Sequence, residues 1–280
     1  MKIKFNIKHI LLALILFTGM NNIYAFPAHQ PVPGGTAVVE LSSADTPQPV
    51  AFFKNQRVAV HKHDDAWYAL IGLSLNTKPG EQTVRYQFDD KQFYQHTFTV
   101  KKKTYESQYL TVKNKRKVNP SEKDMKRILK EKEIKAAAKN TWTEQAISTE
   151  FIRPVEGRIS SVFGLRRFFN NQARRPHSGL DIAAPEGTPI KAISDGKVIQ
   201  TGDFFFSGNM VYLDHGQGVI SLYAHMHKIH VKPGQLIRQG EIIGEVGETG
   251  RVTGPHLHLS LLLNRSAVDP EHWLPETKTQ

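Results

Sequence analysis

Histidine is concentrated in three short pieces of the C-terminal half: His177-Ser178-Gly179-Leu180-Asp181, Leu222-Tyr223-Ala224-His225-Met226-His227 and Gly254-Pro255-His256-Leu257-His258-Leu259. Imidazole nitrogen and carboxylate oxygen hold divalent cations, and imidazole also moves protons near neutral pH. In a strand, residues two apart point to one side, so His256 and His258 project together while Leu257 and Leu259 face a buried side. That pair alone would be no more than two half-exposed histidines on a sheet. His177 and Asp181 are four apart, but Gly179 and Pro185 argue against a helix; a loop running into a strand brings both to one point. His177, Asp181 and one histidine of the pair make three protein ligands and leave a fourth position for water. That is the arrangement of a catalytic zinc site, not of a closed structural one. His225 and the other member of the pair then remain to accept or return a proton, or to hydrogen-bond a developing oxyanion.

The rest of the chain narrows the chemistry. There is no cysteine, so thiolate nucleophiles and thiolate ligands are excluded, and any metal must be held by histidine and carboxylate. From residue 151 onward, turns at Asp195-Gly196, Gly216-Gln217-Gly218, Pro233-Gly234 and 247–250 separate strand-like runs at 189–193, 210–213, 219–223, 242–246 and 257–263. Residues 26–115 form an N-terminal β module. Strand-like runs at 36–41, 50–53, 57–61, 67–73, 82–88 and 95–100 predict an immunoglobulin-like sandwich there. His61 and His63 share a strand face with no third ligand near in sequence and read as surface histidines. Residues 116–150 are a charged linker. Ser121 and Asp124 resemble a capping box, and Met125, Ile128 and Leu129 follow at helical spacing within 123–139. Such a helix either joins two domains or packs across the catalytic cleft. The divisions expected are therefore 1–25, 26–115, 116–150, 151–270 and a tail, 271–280.

Residues 1–25 read as a secretory signal peptide. Lys2, Lys4 and Lys8 precede an apolar stretch from Ile10 to Met20, and Ala25 ends the segment with a small residue. The apolar run is short for a membrane span, so no stable span is expected after cleavage; an uncleaved segment would leave the protein membrane-associated. The formal charge of +11 falls to +8 once those three lysines leave with the segment, which contains no acid. A basic exported protein suits polyanionic partners. Export and the lack of zinc-finger or RNP-type patterns exclude nucleic acid.

The order His-x-x-x-Asp, Tyr-Ala-His, Gly-Pro-His-Leu-His resembles the lysostaphin-like (LytM-type) metallopeptidases of bacterial cell walls. The surroundings agree: Phe163-Gly164, Gly179 to Pro185, Gly187-Thr188-Pro189-Ile190, Gly196-Lys197-Val198 and Gly240-Glu241-Ile242-Ile243-Gly244. The resemblance spans about 153–268. It implies an antiparallel sheet crossed by a groove, with zinc held by His177, Asp181 and His258 and with His225 and His256 as the catalytic pair. It implies a zinc endopeptidase acting on stem peptides or cross-links of peptidoglycan, with the D-Ala–diaminopimelate bond of Gram-negative wall as the expected target. The periplasm is the expected location and a monomer the expected state; partner proteins are not specified. Arg166, Arg167, Arg174 and Arg175 precede His177 and are candidates for contacting stem-peptide carboxylates, with Tyr223 a further candidate substrate contact. His227 and His230 are read as surface or cleft-rim residues. A non-enzymatic regulator of another wall hydrolase is the alternative, although such relatives usually lack a ligand and this chain lacks none. A lipoyl or biotinyl carrier domain is disfavoured because no lysine sits at a suitable hairpin tip.

Overall fold

Six strands build the N-terminal module: β1 (Thr36–Ser43), β2 (Val50–Phe53), β3 (Gln56–His63), β4 (Ala66–Gly72), β5 (Gly80–Gln87) and β6 (Phe93–Val100). The computed structural model describes residues 26–89 and 92–276; the expected signal peptide and the last four residues of the expected tail lie outside the described residues. Alternation decides the buried face. In β5, Val84 and Tyr86 are buried and Arg85 between them is exposed. The strands pair antiparallel in the order β1-β4-β3-β2-β5-β6. β3 changes partner along its length, pairing with β2 over 56–58 and with β4 over 59–63. β1 at one end of the sheet approaches β6 at the other. The mainly β expectation holds, but the module is barrel-like. One continuous sheet curls around Ala51, Val58, Ile71, Val84 and Val100, in place of two facing sheets. The cause is the shared strand, whose twist turns one half of the sheet over the other.

The linker supplies β7 (Ser107–Leu110) and α1 (Glu122–Lys139). Both halves of the expected capping box form: Ser121 accepts from Asp124 N, and the Asp124 carboxylate accepts from Ser121 N. The Arg116 guanidinium, paired with Asp124, holds that carboxyl well below the usual range. The apolar positions seen in sequence do not dock the helix. Met125 is 43% and Leu129 55% exposed. Docking is instead largely polar. Both oxygens of buried Glu131 accept from Phe205 N at 2.9 Å, Arg127 pairs with Asp203, and only Ala138 enters an apolar cluster, with Phe204, Tyr212 and Leu262.

The C-terminal half contains β8 (Arg158–Ser161), β9 (Arg166–Phe169), β10 (Gln172–Ala173), β11 (Leu180–Ala183), β12 (Pro189–Lys191), β13 (Gly196–Phe204), β14 (Gly208–Asp214), β15 (Ile220–Met226), β16 (Lys228–Ile229), β17 (Leu236–Ile237), β18 (Ile242–Glu245), β19 (Leu257–Leu263) and β20 (Ser266–Val268). Seven strands follow the order β17-β13-β14-β15-β19-β11-β8, with β20 beside β19. β12, β18 and β16 form a small second sheet, and β7 adds to β9 in parallel, so the linker contributes a strand to this half. One face of the large sheet carries the main core, including Val211, Tyr223, Leu257, Leu259 and Leu261. The other carries a smaller cluster with Met210, Tyr212, Ala224 and Leu262. The segment expected as a tail begins with a short 3-10 helix, Pro270–His272, and buries Trp273 and Leu274. No helix among the described residues is long and apolar enough to cross a membrane.

The two halves share a core, because Ala59 and Leu70 of the module belong to the same apolar cluster as the large sheet. Polar bonds fix the contact. Asn264 Oδ1 accepts from Gly72 N at 2.6 Å and its amide donates to Gly72 O at 3.1 Å; Gln217 Oε1 accepts from Val60 N at 2.9 Å. Asn264 also holds a left-handed φ of 38°. Asn264→Ala is expected to cost about 1–3 kcal/mol in urea unfolding, by leaving Gly72 unpaired where water is excluded. Asn264→Gly, which suits the backbone but not the bonds, is expected to fall between wild type and alanine; equal midpoints for all three proteins would refute this role.

Candidate metal centre and catalytic cleft

Strand register brings the ligand candidates together. Asp181 on β11 lies directly opposite His258 on β19, on the sheet face away from the main core. His177 sits in the loop before β11, as the glycine after it requires: a Cβ at Gly179 would lie 2.3 Å from Leu259 O and 2.8 Å from His258 Cε1. His177 Nε2, Asp181 Oδ1 and His258 Nδ1 converge, at 3.0, 3.1 and 2.7 Å from one another. All three residues are buried or nearly so.

The far sides of these groups set their protonation. His177 Nδ1 donates to Val162 O at 2.7 Å, which leaves the Nε2 lone pair facing inward. His258 Nε2 lies 2.9 Å from Ser260 Oγ, which accepts its N–H and leaves Nδ1 free. The outer oxygen of Asp181 takes a 2.6 Å bond from Arg167, and Arg167 is itself held by Ser161 Oγ and Gln108. With no ion bound, burial pushes the Asp181 carboxyl up, but hydrogen bonds donated by the inward nitrogens of His177 and His258 outweigh it and hold the group well below its ordinary value. Burial also lowers His258. Once a cation displaces those two inward protons, two imidazole lone pairs and one carboxylate oxygen meet at one point. A tetrahedral ion with bonds of about 2 Å would set adjacent donors about 3.3 Å apart. The donor set and its spacing fit a divalent cation of the zinc class.

Two more histidines face this centre. His256 is held by Nδ1 donating to Gly254 O at 2.8 Å, and its Nε2 stands 3.8 Å from Asp181 Oδ1. His225 Nδ1 donates to Thr249 O at 2.8 Å. The two rings lie 4.9 Å apart between centroids. His225 reaches this position through an irregularity. The pairing of β14 with β15 skips from Tyr223 to Met226, and His225 takes a left-handed φ of 64°. The bulge turns its ring off the alternation of the strand. Burial, with repulsion from His256 and His258, keeps His225 well below its ordinary pKa; burial lowers His256 as well. Both rings are thus neutral near pH 7 with Nε2 able to accept a proton.

The remaining expectations divide. His227 is exposed and pairs with Glu186 at 3.2 Å, and His230 is exposed and pairs with Glu245 at 3.1 Å, so neither joins the centre. Arg166 and Arg175 are exposed, whereas Arg174 donates to Val118 O and Ala173 O. Tyr223 does not meet the expectation of a substrate contact. It is fully buried in the main core and its hydroxyl accepts from Ile193 N at 2.9 Å, because its strand position faces away from the cleft. Arg167 is the residue the sequence grouped with the candidate carboxylate contacts, and the carboxylate it contacts is one of the centre's own. Only the β7–β9 sheet shows that its side chain turns under the centre, and its neighbours in sequence carry no signal of that. Arg167→Ala is expected to weaken metal binding by about 10–100-fold, since it frees the Asp181 carboxylate to rotate. Unchanged affinity in a competition titration with a chelating dye would overturn that role.

Comparison with known proteins agrees with this geometry. Residues 175–270 match peptidase family M23, and residues 29–103 match the peptidase family M23 N-terminal domain. Over 113 residues the chain is 44% identical to peptidoglycan DD-endopeptidase ShyA of Vibrio cholerae. Over 113 residues it is 45% identical to the DD-carboxypeptidase/endopeptidase Mpg of Neisseria meningitidis. Each match covers 40% of this chain and 26% of the relative, so the likeness is confined to about a quarter of those proteins. A crystal structure of a protein assigned to peptidase M23 from Pseudomonas aeruginosa is alike over 87% of this chain and 94% of its own, at 39% identity and a TM-score of 0.73. With both halves of the fold matched and a triad of metal-ligand type beside a histidine pair, the chain belongs to peptidase family M23.

Proposed function

We propose that this protein is a zinc-dependent endopeptidase, acting outside the cytoplasm on stem peptides or cross-links of peptidoglycan, with the D-Ala–diaminopimelate bond of Gram-negative periplasmic wall as its target. The observation that carries the reading is the placement of two neutral histidines, His225 and His256, against a three-donor centre of His177, Asp181 and His258. The names of the peptidoglycan endopeptidases that share this half of the chain support the substrate.

When bound, zinc supplies Lewis acidity, which makes water a nucleophile at neutral pH and polarises the scissile carbonyl. The protein's own groups do the rest. His256 Nε2 accepts the proton of the attacking water. Its Nδ1–H stays on Gly254 O, which holds the ring in the accepting tautomer. Once protonated, the same nitrogen donates to the amine that leaves. His225, fixed by Thr249 O, stands across from it with Nε2 as a second acceptor that orients the attacking water. Arg167 keeps one Asp181 oxygen occupied, so the other remains aimed at the ion.

Metal content and muropeptide release from purified sacculi test the reading on one preparation of the protein. Stoichiometric zinc with new fragments supports it, and fragment masses name the bond. Zinc without fragments from sacculi of either direct or glycine-bridged wall would sink it.

A further inference from the structure

Between α1 and the loops carrying Arg174, Phe206 and Arg251 runs a groove of about 600 Å³. Its floor is apolar, formed by Val118, Met125, Ile128 and Phe206. Its walls carry six cations, Lys132, Lys135, Lys139, Arg174, Arg175 and Arg251, against one carboxylate, Glu131. Glu131 is already engaged by Phe205 N and, at 2.6 Å, by Arg127. Among the described residues none of the six cations forms an ion pair. Lys135 donates to Ser207 Oγ at 3.0 Å and lies over the ring of Phe204, and Arg251 lies over the rings of Phe169 and Phe206. The crowding is costly. Burial, with repulsion from Lys139 and Arg251, brings Lys135 down to about 8; burial, with Arg167 and Arg174, brings Arg251 down to about 10.

The residues that line the groove are tied to those of the metal centre by short links. His225 N donates to Ser207 O, the residue Lys135 touches, and His225 Nδ1 donates to Thr249 O, two residues before Arg251. Arg175 stands two residues before His177. One wall is α1, which lies outside both family-matched spans, so this feature does not come with the catalytic half.

We propose that this groove is the docking site for a carboxylate-bearing stretch of the substrate peptide, held on one side of the scissile bond by the lysines of α1 together with Arg174, Arg175 and Arg251. The proposal rests on the endopeptidase reading and names what selects the peptide. An apolar floor suits small methyl side chains, and unpaired cations suit free carboxylates. A lipid surface would need the same charges on a convex face, whereas these line a concavity.

The test separates docking from hydrolysis. Metal-loaded full chain carrying His256→Ala is titrated with a purified cross-linked tetrapeptide muropeptide and with the same muropeptide after amidation of its carboxyl groups. The native peptide is expected to bind about tenfold more tightly than the amidated one, with a difference that shrinks at high salt. Adding Lys135→Gln and Lys139→Gln is expected to weaken native-peptide binding about tenfold and leave the amidated peptide unaffected, with Lys135→Arg in place of Lys135→Gln recovering part of the loss. In the active enzyme the same pair should raise KM and leave kcat within about twofold. Equal binding of the two peptides, or equal losses on both, overturns the proposal. So does binding to phosphatidylglycerol vesicles through these lysines with peptide affinity unchanged. Charge-selective binding by a protein that never cleaves sacculi would uphold the groove and reject the endopeptidase reading.

Discussion

His258→Ala is expected to abolish both metal retention and the release of wall fragments. His258 Nδ1 is one of three inward lone pairs, 2.7 Å from Asp181 Oδ1 and 3.1 Å from His177 Nε2, and alanine offers no donor in its place. A site left with one imidazole and one carboxylate should lose far more than the about 10–100-fold that removing an orienting partner costs. Metal per chain after dialysis, read by elemental analysis, and fragment release from sacculi should fall together. Folding gives the control. His258 lies on a strand whose leucines carry the core on the other face, so the unfolding midpoint measured with chelator present should stay near that of metal-free wild type. Full metal content in this variant would show that the ion is held elsewhere.

His256→Ala should separate binding from chemistry. Its ring touches the centre only at 3.8 Å and is anchored by Gly254 O, outside the ligand set. Metal content should match wild type, while kcat falls by about 10²–10⁴-fold with little change in KM, the usual cost of a lost proton-transfer group. A smaller effect than that of His225 substitution would make His225 the principal base. Alanine at position 225 is a poor comparison, because that residue holds a φ of 64°; His225→Asn and His225→Gly tolerate the left-handed backbone and isolate the loss of the ring. Loss of metal in His256→Ala would refute the separation.

Much of this centre was legible before any fold was known. His-x-His on a strand has one geometric meaning, because alternate residues share a face, and Leu257 and Leu259 are buried as that alternation demands. The six strands of the N-terminal module, bounded by turn residues, were legible for the same reason. The capping box was legible because it is a contact between residues three apart. What failed to show was longer-range. β13, the longest strand at nine residues, was missed because Gly196, Gln200, Gly202 and Asp203 break its alternation; pairing with β14 along its length holds it extended. The apolar spacing of α1 marked a helix but not how it docks, because its docking is decided by Glu131 reaching an unpaired amide on Phe205 and not by its own periodicity.

Residue type and spacing alone determined the donor chemistry, the absence of thiolates and the pairing of His256 with His258. Each is a local property of side chains on a strand or of the chain's composition. The tertiary structure decided which groups meet. Register sets Asp181 opposite His258, a bulge in β15 turns His225 inward, the β7–β9 sheet carries Arg167 under Asp181, and the packing of α1 walls a basic groove. These contacts join residues up to scores of positions apart. No local pattern encodes them, because sheet register and helix docking are set by the burial and hydrogen bonding of the whole chain.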